Sequence, residues 1–307
     1  MTTPYEPQAS ASAFDPAPRQ PQVRPGRKLG PVALDVASSH RAWLEPVREA
    51  YLDSGRTLGD LGDCIPLAKS KLSELLRGVG LYPRWETIHR LAAELGMPSW
   101  PLHRLWKQAA LDAGKAPGWI DRSTQKTTVA TARHWPPMEH GALRQLVEDD
   151  YRFYAQVFLG DRARDAAVHD TFAALWLHWG KALRSADVRC FAWSILRTTV
   201  MARATHRDGR PQMEHAAFDT VLLQTQTDPA ASTAAMPHIL GLFKAISRLP
   251  DSQLDVMVLR HLCGFDDERA SSLLGVPLAT VRADERRAMR HLDSALTLPP
   301  DTEGPLT

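Results

Sequence analysis

Cysteine is scarce in this chain of 307 residues, and so is net charge. The three cysteines, Cys64, Cys190 and Cys263, are scattered and form no CxxC pair. This usage fits a reducing cytosol and argues against a disulfide framework or a zinc site. Because the formal net charge is only +2, a role with nucleic acid would depend on local basic clusters rather than on a bulk positive field.

Long apolar runs and catalytic motifs are also missing. No run approaches the ~18 apolar residues that suggest a membrane helix, and the N-terminus lacks the apolar core of a signal peptide. There is no glycine-rich phosphate loop, no GxSxG and no HExxH. His261 and Cys263 lie close together but have no further ligands at zinc spacing. We therefore predict a cytoplasmic protein with no membrane segment, cofactor, metal or catalytic residue, and nothing indicates an enzyme.

Glycine and proline divide the chain into helical stretches, which predicts an all-α protein. We expect three small helical domains joined by flexible linkers, with tails rich in small polar residues and proline. The predicted boundaries, in chain order, are tail 1–36, domain 37–115, linker 116–141, domain 142–208, linker 209–238, domain 239–297 and tail 298–307.

The most informative stretch is 248–292, where Pro250, Gly264 and Gly275 separate three short helical patterns. The last helix has apolar residues on one face and basic or hydroxyl-bearing residues on the other. A helix held by two others, with a basic outer face, is the shape that enters a DNA major groove. The residues that we expect to contact DNA here are Ala279, Thr280, Arg282, Ala283, Arg286, Arg287 and Arg290.

This stretch resembles region 4 of the extracytoplasmic-function sigma factors. The matching features are Leu249-Pro250, the VLRHL run at 258–262, Leu273-Leu274-Gly275 and Ala279-Thr280-Val281-Arg282. The resemblance implies a helix-turn-helix domain that binds double-stranded promoter DNA. It also implies that Glu285 stands at a position where the family usually has an apolar core residue. A trihelical module that docks proteins is the alternative.

Residues 37–115 contain a second candidate DNA-binding helix, near 67–77, with a leucine stripe on its inner face. The outer face carries the candidate DNA contacts Lys69, Ser70, Lys71, Ser73 and Arg77. The segment resembles the Cro/repressor (XRE) type of helix-turn-helix. The residues that carry this resemblance are Thr57-Leu58-Gly59-Asp60-Leu61, Lys69–Arg77-Gly78 and Glu86-Thr87-Ile88-His89-Arg90-Leu91-Ala92. The alternative is a helical bundle that docks a protein and does not bind DNA.

The run LGDRARDAAVHDTFAALWLHW at 159–179 resembles sigma region 2. In that family this helix docks on the clamp of RNA polymerase. The resemblance therefore implies polymerase binding through Asp165, His169, Asp170 and Trp176. An acidic outer face would suit a basic clamp, but Asp170 could equally be a residue that only solvates the helix. The following helix, Phe191–Arg203, would hold the groups that read and open the −10 element.

These resemblances together imply a bacterial transcription factor similar to a sigma factor, located at the nucleoid. Its expected partners are double-stranded DNA and core RNA polymerase, with an anti-sigma or other regulatory protein as a further candidate. The main alternative is a DNA-binding regulator that keeps sigma-like folds but does not initiate transcription. A scaffold built from helical docking modules is the third reading.

Overall fold

The computed structural model describes residues 29–125, 127, 135–214 and 241–297. The fold is all-α, as predicted, and the described part adds only one short antiparallel ladder, β1 (His206–Arg207) with β2 (Arg210–Pro211). The first ten helices are α1 (Ser38–Asp53), α2 (Leu58–Cys64), α3 (Lys69–Leu76), α4 (Trp85–Glu94), α5 (Ser99–Asp112), α6 (Pro117–Thr124), α7 (Met138–Gln156), α8 (Asp161–Leu177), α9 (Trp179–Arg184) and α10 (Val188–Met201). After helical residues 241–246 come α11 (Asp251–Met257), a π-helical turn (Val258–Leu262), α12 (Asp267–Leu274) and α13 (Leu278–Thr297).

Helices α1 to α6 surround an aromatic core in which Trp43, Trp85 and Trp106 are fully buried. The indole N–H groups of Trp43 and Trp106 are satisfied within the core, whereas Trp85 Nε1 has no hydrogen-bond partner among the described residues. Trp43 Nε1 donates to the Tyr82 hydroxyl at 3.1 Å, and that hydroxyl donates to the Trp106 carbonyl at 2.7 Å. Large aromatic residues bury much apolar surface, and hydrogen bonds to their polar edges remove the cost of that burial. Within this unit, α2 packs against α3 and α4, and α3 packs against α1.

Two segments that we predicted to be a tail and a linker are partly packed, which corrects those boundaries. In the tail, the Arg48 guanidinium donates to the Gly30 carbonyl at 2.5 Å, and Ala33 N–H donates to the Arg77 carbonyl at 2.9 Å. In the linker, α6 buries Ile120, and the Ser123 hydroxyl accepts a hydrogen bond from the backbone N–H that starts α4. Predicted tail residues 1–28, most of the linker 209–238 and the last ten residues lie outside the described part.

The described residues of 142–208 and of 241–292 share one continuous hydrophobic core, so these two units pack against each other rather than standing apart. A buried carboxylate, Asp255 of α11, joins them. Its Oδ1 accepts from the Tyr154 hydroxyl at 2.7 Å, and its Oδ2 accepts from Trp193 Nε1 at 3.0 Å. Arg197 Nε of α10 lies 3.0 Å from the same Oδ2. Burial raises the pKa of Asp255, and these donors oppose that shift.

The turn between α12 and α13 also touches the unit at 142–208. Gly275 has a φ of +65°, and a Cβ at this position would overlap the backbone of Cys190 at the start of α10. The Arg269 guanidinium pairs with the Asp150 carboxylate of α7, and Arg189 bonds to Ser272. Glycine is therefore required here for both conformation and space.

Candidate nucleic-acid interface

Helix α13 owes its position to α11 and α12, which pack against its apolar face. Val281, Ala288 and Leu292 are buried, as the helical period predicted. Asp266 caps α12 by accepting a hydrogen bond from the Arg269 N–H at 2.7 Å, and Gly275 ends α12 in the left-handed conformation. A short turn then leads into α13, which gives the helix-turn-helix arrangement expected from the sequence.

The opposite face of α13 brings together all seven residues predicted to contact DNA. Six of them are exposed and Ala283 is half-buried. The four arginines differ in their surroundings. Arg282 Nε donates to Asp267 at 2.8 Å, and Arg287 Nη1 donates to Asp284 at 2.8 Å. Arg286 and Arg290 make no ion pair with any residue that the structure describes. Two of the four exposed arginines are therefore held by carboxylates, and the other two are not paired with any described residue.

The expectation that Glu285 occupies a core position is wrong. Asp284 is the buried residue, because its spacing from Val281 and Ala288 places it on the inner face. Glu285 lies at the rim, with Oε1 2.9 Å from His261 Nε2 and 3.6 Å from Arg260 Nε. The hydrophobic period alone could have identified this register.

Sequence reasoning missed a row of alternating charges beside α13. Arg260, in the π-helical turn, has its Nε 2.9 Å from Asp267 Oδ1 and connects Asp267 to Glu285. Asp267 in turn holds Arg282. The hydrogen bond from Arg282 holds the pKa of the Asp267 carboxyl below its ordinary value. The only sequence signal is the pair Asp266-Asp267 at the start of α12, which the sequence alone assigns to charges that favour the helix dipole.

The second candidate interface, on α3, is open at its first turn. Lys69, Ser70 and Lys71 are exposed, while Ser73 and Arg77 are half-buried. Lys71 pairs with Glu74 at 2.8 Å, and Arg77 Nε donates to the Ser73 carbonyl at 3.3 Å. Three of the five predicted residues are therefore accessible to a ligand, and the other two are only partly accessible.

The residues predicted to bind polymerase are divided between two sides of α8. Asp165 and His169 are partly exposed, and His169 Nδ1 lies 2.7 Å from the Asp165 carbonyl. Asp170 is only 3% exposed, because it pairs with Arg104 of α5 at 2.5 Å and with Arg203. Asp170 is thus neither an outward acidic residue nor a solvating one.

The unit at α1–α6 covers this second side of α8. Trp176 packs on Trp100 of α5 with 6.1 Å between ring centroids, and Ala173 and Ala174 join the core of that unit. At the adjoining helix, Lys181 Nζ lies 3.1 Å from Glu49 of α1. Tertiary packing has therefore buried Asp170 and partly covered Trp176, two residues that the resemblance to sigma region 2 assigned to a docking surface.

Helix α10, expected to read the −10 element, packs on α8 and α12 and meets α11 through side-chain contacts. Its Arg197 guanidinium is used by Asp255 and by Asp251, whose Oδ1 lies 2.8 Å from Nη2. In the described residues, no helix is long and apolar enough to span a bilayer. No group of three or more acidic, histidine or cysteine side chains is arranged there to hold a metal ion.

Comparison with known proteins identifies one part of the chain. Residues 240–292 match the family model described as Sigma-70, region 4. No curated protein and no solved structure matches the chain. The matched range contains α11, α12 and most of α13, so the C-terminal resemblance is confirmed as a sigma-factor-like domain. Such a domain indicates a DNA-binding, transcription-related role.

Proposed function

We propose that this protein is a bacterial transcription factor that binds duplex DNA through α13 and brings core RNA polymerase to promoters, in the manner of a sigma factor. The observation that carries this proposal is the exposed arginine face of α13, opposite its buried stripe, inside the range that matches Sigma-70 region 4. The B-DNA major groove is about 12 Å wide and admits an α-helix.

The DNA-binding step draws affinity from the four arginines of α13. Each cation that neutralises a phosphate should steepen the dependence of log affinity on log salt by about −0.9. Because the net charge of the whole chain is only +2, attraction to DNA at the C-terminal end depends on local basic residues such as these. The exposed first turn of α3, with Lys69 and Lys71, is proposed as a second DNA contact.

The polymerase-binding step is proposed for the partly exposed side of α8, around Asp165 and His169. Its support is the order of sigma-like segments, with the 159–179 run ahead of the domain at 240–292. A negatively charged residue at the surface favours docking on a basic partner through faster encounter and correct orientation.

A DNA-binding regulator that does not initiate transcription is the second candidate. The specific observation in its favour is that Asp170 and Trp176 lie under α5. Polymerase contacts through these two residues would require α5 to leave α8. The packing of α11 on α10 likewise leaves Arg197 engaged by two aspartates.

Binding to core polymerase separates the two candidates. The purified full-length chain would be mixed with core enzyme, and the complex isolated by size exclusion and tested in run-off transcription on its preferred duplex. A sigma-like factor should bind at micromolar concentration and support initiation. An Arg286→Ala/Arg290→Ala variant should still bind core enzyme but lose promoter DNA. Duplex binding with no core-enzyme binding would establish the regulator instead.

A further inference from the structure

We propose that Asp267 is a positioning residue that presents Arg282 to a guanine, so that Arg282 reads sequence while Arg286 and Arg290 add affinity without sequence preference. This inference rests on the proposed function, because it requires α13 to enter the major groove. It assigns different roles to arginines that the sequence presents as equivalent.

The hydrogen bond between the two side chains uses the correct edge of the guanidinium. Asp267 Oδ2 accepts from Arg282 Nε at 2.8 Å, and the two terminal NH₂ groups of Arg282 make no hydrogen bond within the described residues. Guanine offers N7 and O6 as neighbouring acceptors in the major groove, and a pair of arginine N–H groups matches them. The carboxylate thus fixes the Arg282 side chain while leaving its two terminal NH₂ groups, here called the reading edge, free to bind guanine.

Asp267 is itself held in place. Its other oxygen, Oδ1, lies 2.9 Å from Arg260 Nε, and Arg260 Nη1 donates to the Phe265 carbonyl at 2.5 Å. The Asp267 side chain is only 18% exposed, compared with 51% for Arg282. An arginine braced in this way loses less side-chain freedom when it binds, so more of its interaction energy is available for discrimination.

The other arginines of α13 lack this arrangement. Arg286 and Arg290 have no acidic partner among the residues that the structure describes. Arg287 is bound to Asp284 through a terminal nitrogen, Nη1, which occupies part of its reading edge. Arg282 is also the fifth residue of α13, near the helix start, where recognition helices place the side chains that reach base edges.

Because Asp267 is negatively charged, a positioning role and a purely electrostatic role predict different changes in DNA binding when the carboxylate is removed. A carboxylate beside a DNA-binding face repels phosphate, so its removal should strengthen binding to every sequence if it acts only through its charge. If it positions Arg282, its removal should instead reduce the preference for one guanine. The two effects appear in different measurements, namely affinity for a scrambled duplex and the ratio of affinities for guanine and its substitutes.

The test uses the full chain and a duplex library with a randomised core, from which the wild-type protein selects its preferred site. Arg282→Ala should lower the preference for guanine at one base pair about tenfold, within the range expected for one bidentate pair. Asp267→Asn keeps the arginine and should lower the preference at the same base pair by about tenfold or less, with unchanged or tighter binding to a scrambled duplex. Glu268→Gln is the matched control, because it removes one exposed carboxylate from the same turn without a hydrogen bond to Arg282. It should keep the preference.

Asp267→Glu keeps the carboxylate and should retain more of the preference than Asp267→Asn, which covers the case of a poorly folded Asn variant. Circular dichroism would check the helicity of each variant. If Asp267→Asn keeps the guanine preference that Arg282→Ala loses, the positioning role is wrong and the proposed function stands. If the wild-type chain binds no duplex in the selection, the proposed function itself fails.

Discussion

Replacing Asp255 by alanine should destabilise the core that the two units share. The carboxylate accepts hydrogen bonds from Tyr154 and Trp193 and pairs with Arg197, and it is only 4% exposed. Breaking a buried ion pair by removing one partner costs about 3–5 kcal/mol. Each stranded buried donor would cost about 1–3 kcal/mol, but these terms overlap and do not add. We therefore expect Asp255→Ala to lower the free energy of unfolding by about 3–5 kcal/mol.

Asp251→Ala is the matched control for this prediction. Asp251 lies on the same helix and pairs with the same guanidinium at 2.8 Å, but its side chain is 79% exposed. An exposed pair contributes only about 0–1 kcal/mol. Urea unfolding followed by circular dichroism would compare the two variants, and hydrogen exchange would show whether α10 and α11 lose protection together. Equal destabilisation by both variants would refute the argument that burial gives Asp255 its weight.

Three further predictions concern other parts of the chain. Gly275→Ala should destabilise the protein by about 1–3 kcal/mol more than Gly264→Ala, because both glycines have positive φ but only Gly275 lies against another backbone; equal melting temperatures would contradict the close approach. In the full chain, Lys69→Ala/Lys71→Ala should reduce the salt slope of DNA binding by about two units if both lysines touch phosphate, and an unchanged slope would exclude α3 from the interface. Burial lowers the pKa of His103 to about 4, so its neutral form stabilises the fold above pH 6.5 and this stability is lost as pH falls towards about 4. Between pH 7 and pH 5 the loss should be about 1 kcal/mol after allowance for solvent screening, and His103→Gln should melt with a weaker pH dependence over that interval.

Local sequence determined the form of the DNA-binding domain. The spacing of Val281, Ala288 and Leu292 set the buried face of α13, and Gly275 and Asp266 marked the turn and the cap. These features depend on residues within a few positions of one another, and the helical period relates them directly. The error at Glu285 arose because a family expectation was preferred to that period, which places Asp284 inward.

Only the tertiary structure decided which surfaces remain open. The pattern around Asp170 indicated a helix with polar and apolar sides, but α5, which comes much earlier in the chain, supplies Arg104 and covers it. Asp255 likewise meets Tyr154 across a separation of 101 residues. A hydrophobic period shows that a face will be buried but not which segment buries it. The residues next to a charged side chain do not identify the distant residue with which it will pair. The roles of these carboxylates therefore depend on long-range packing, which brings the charges together and removes them from water.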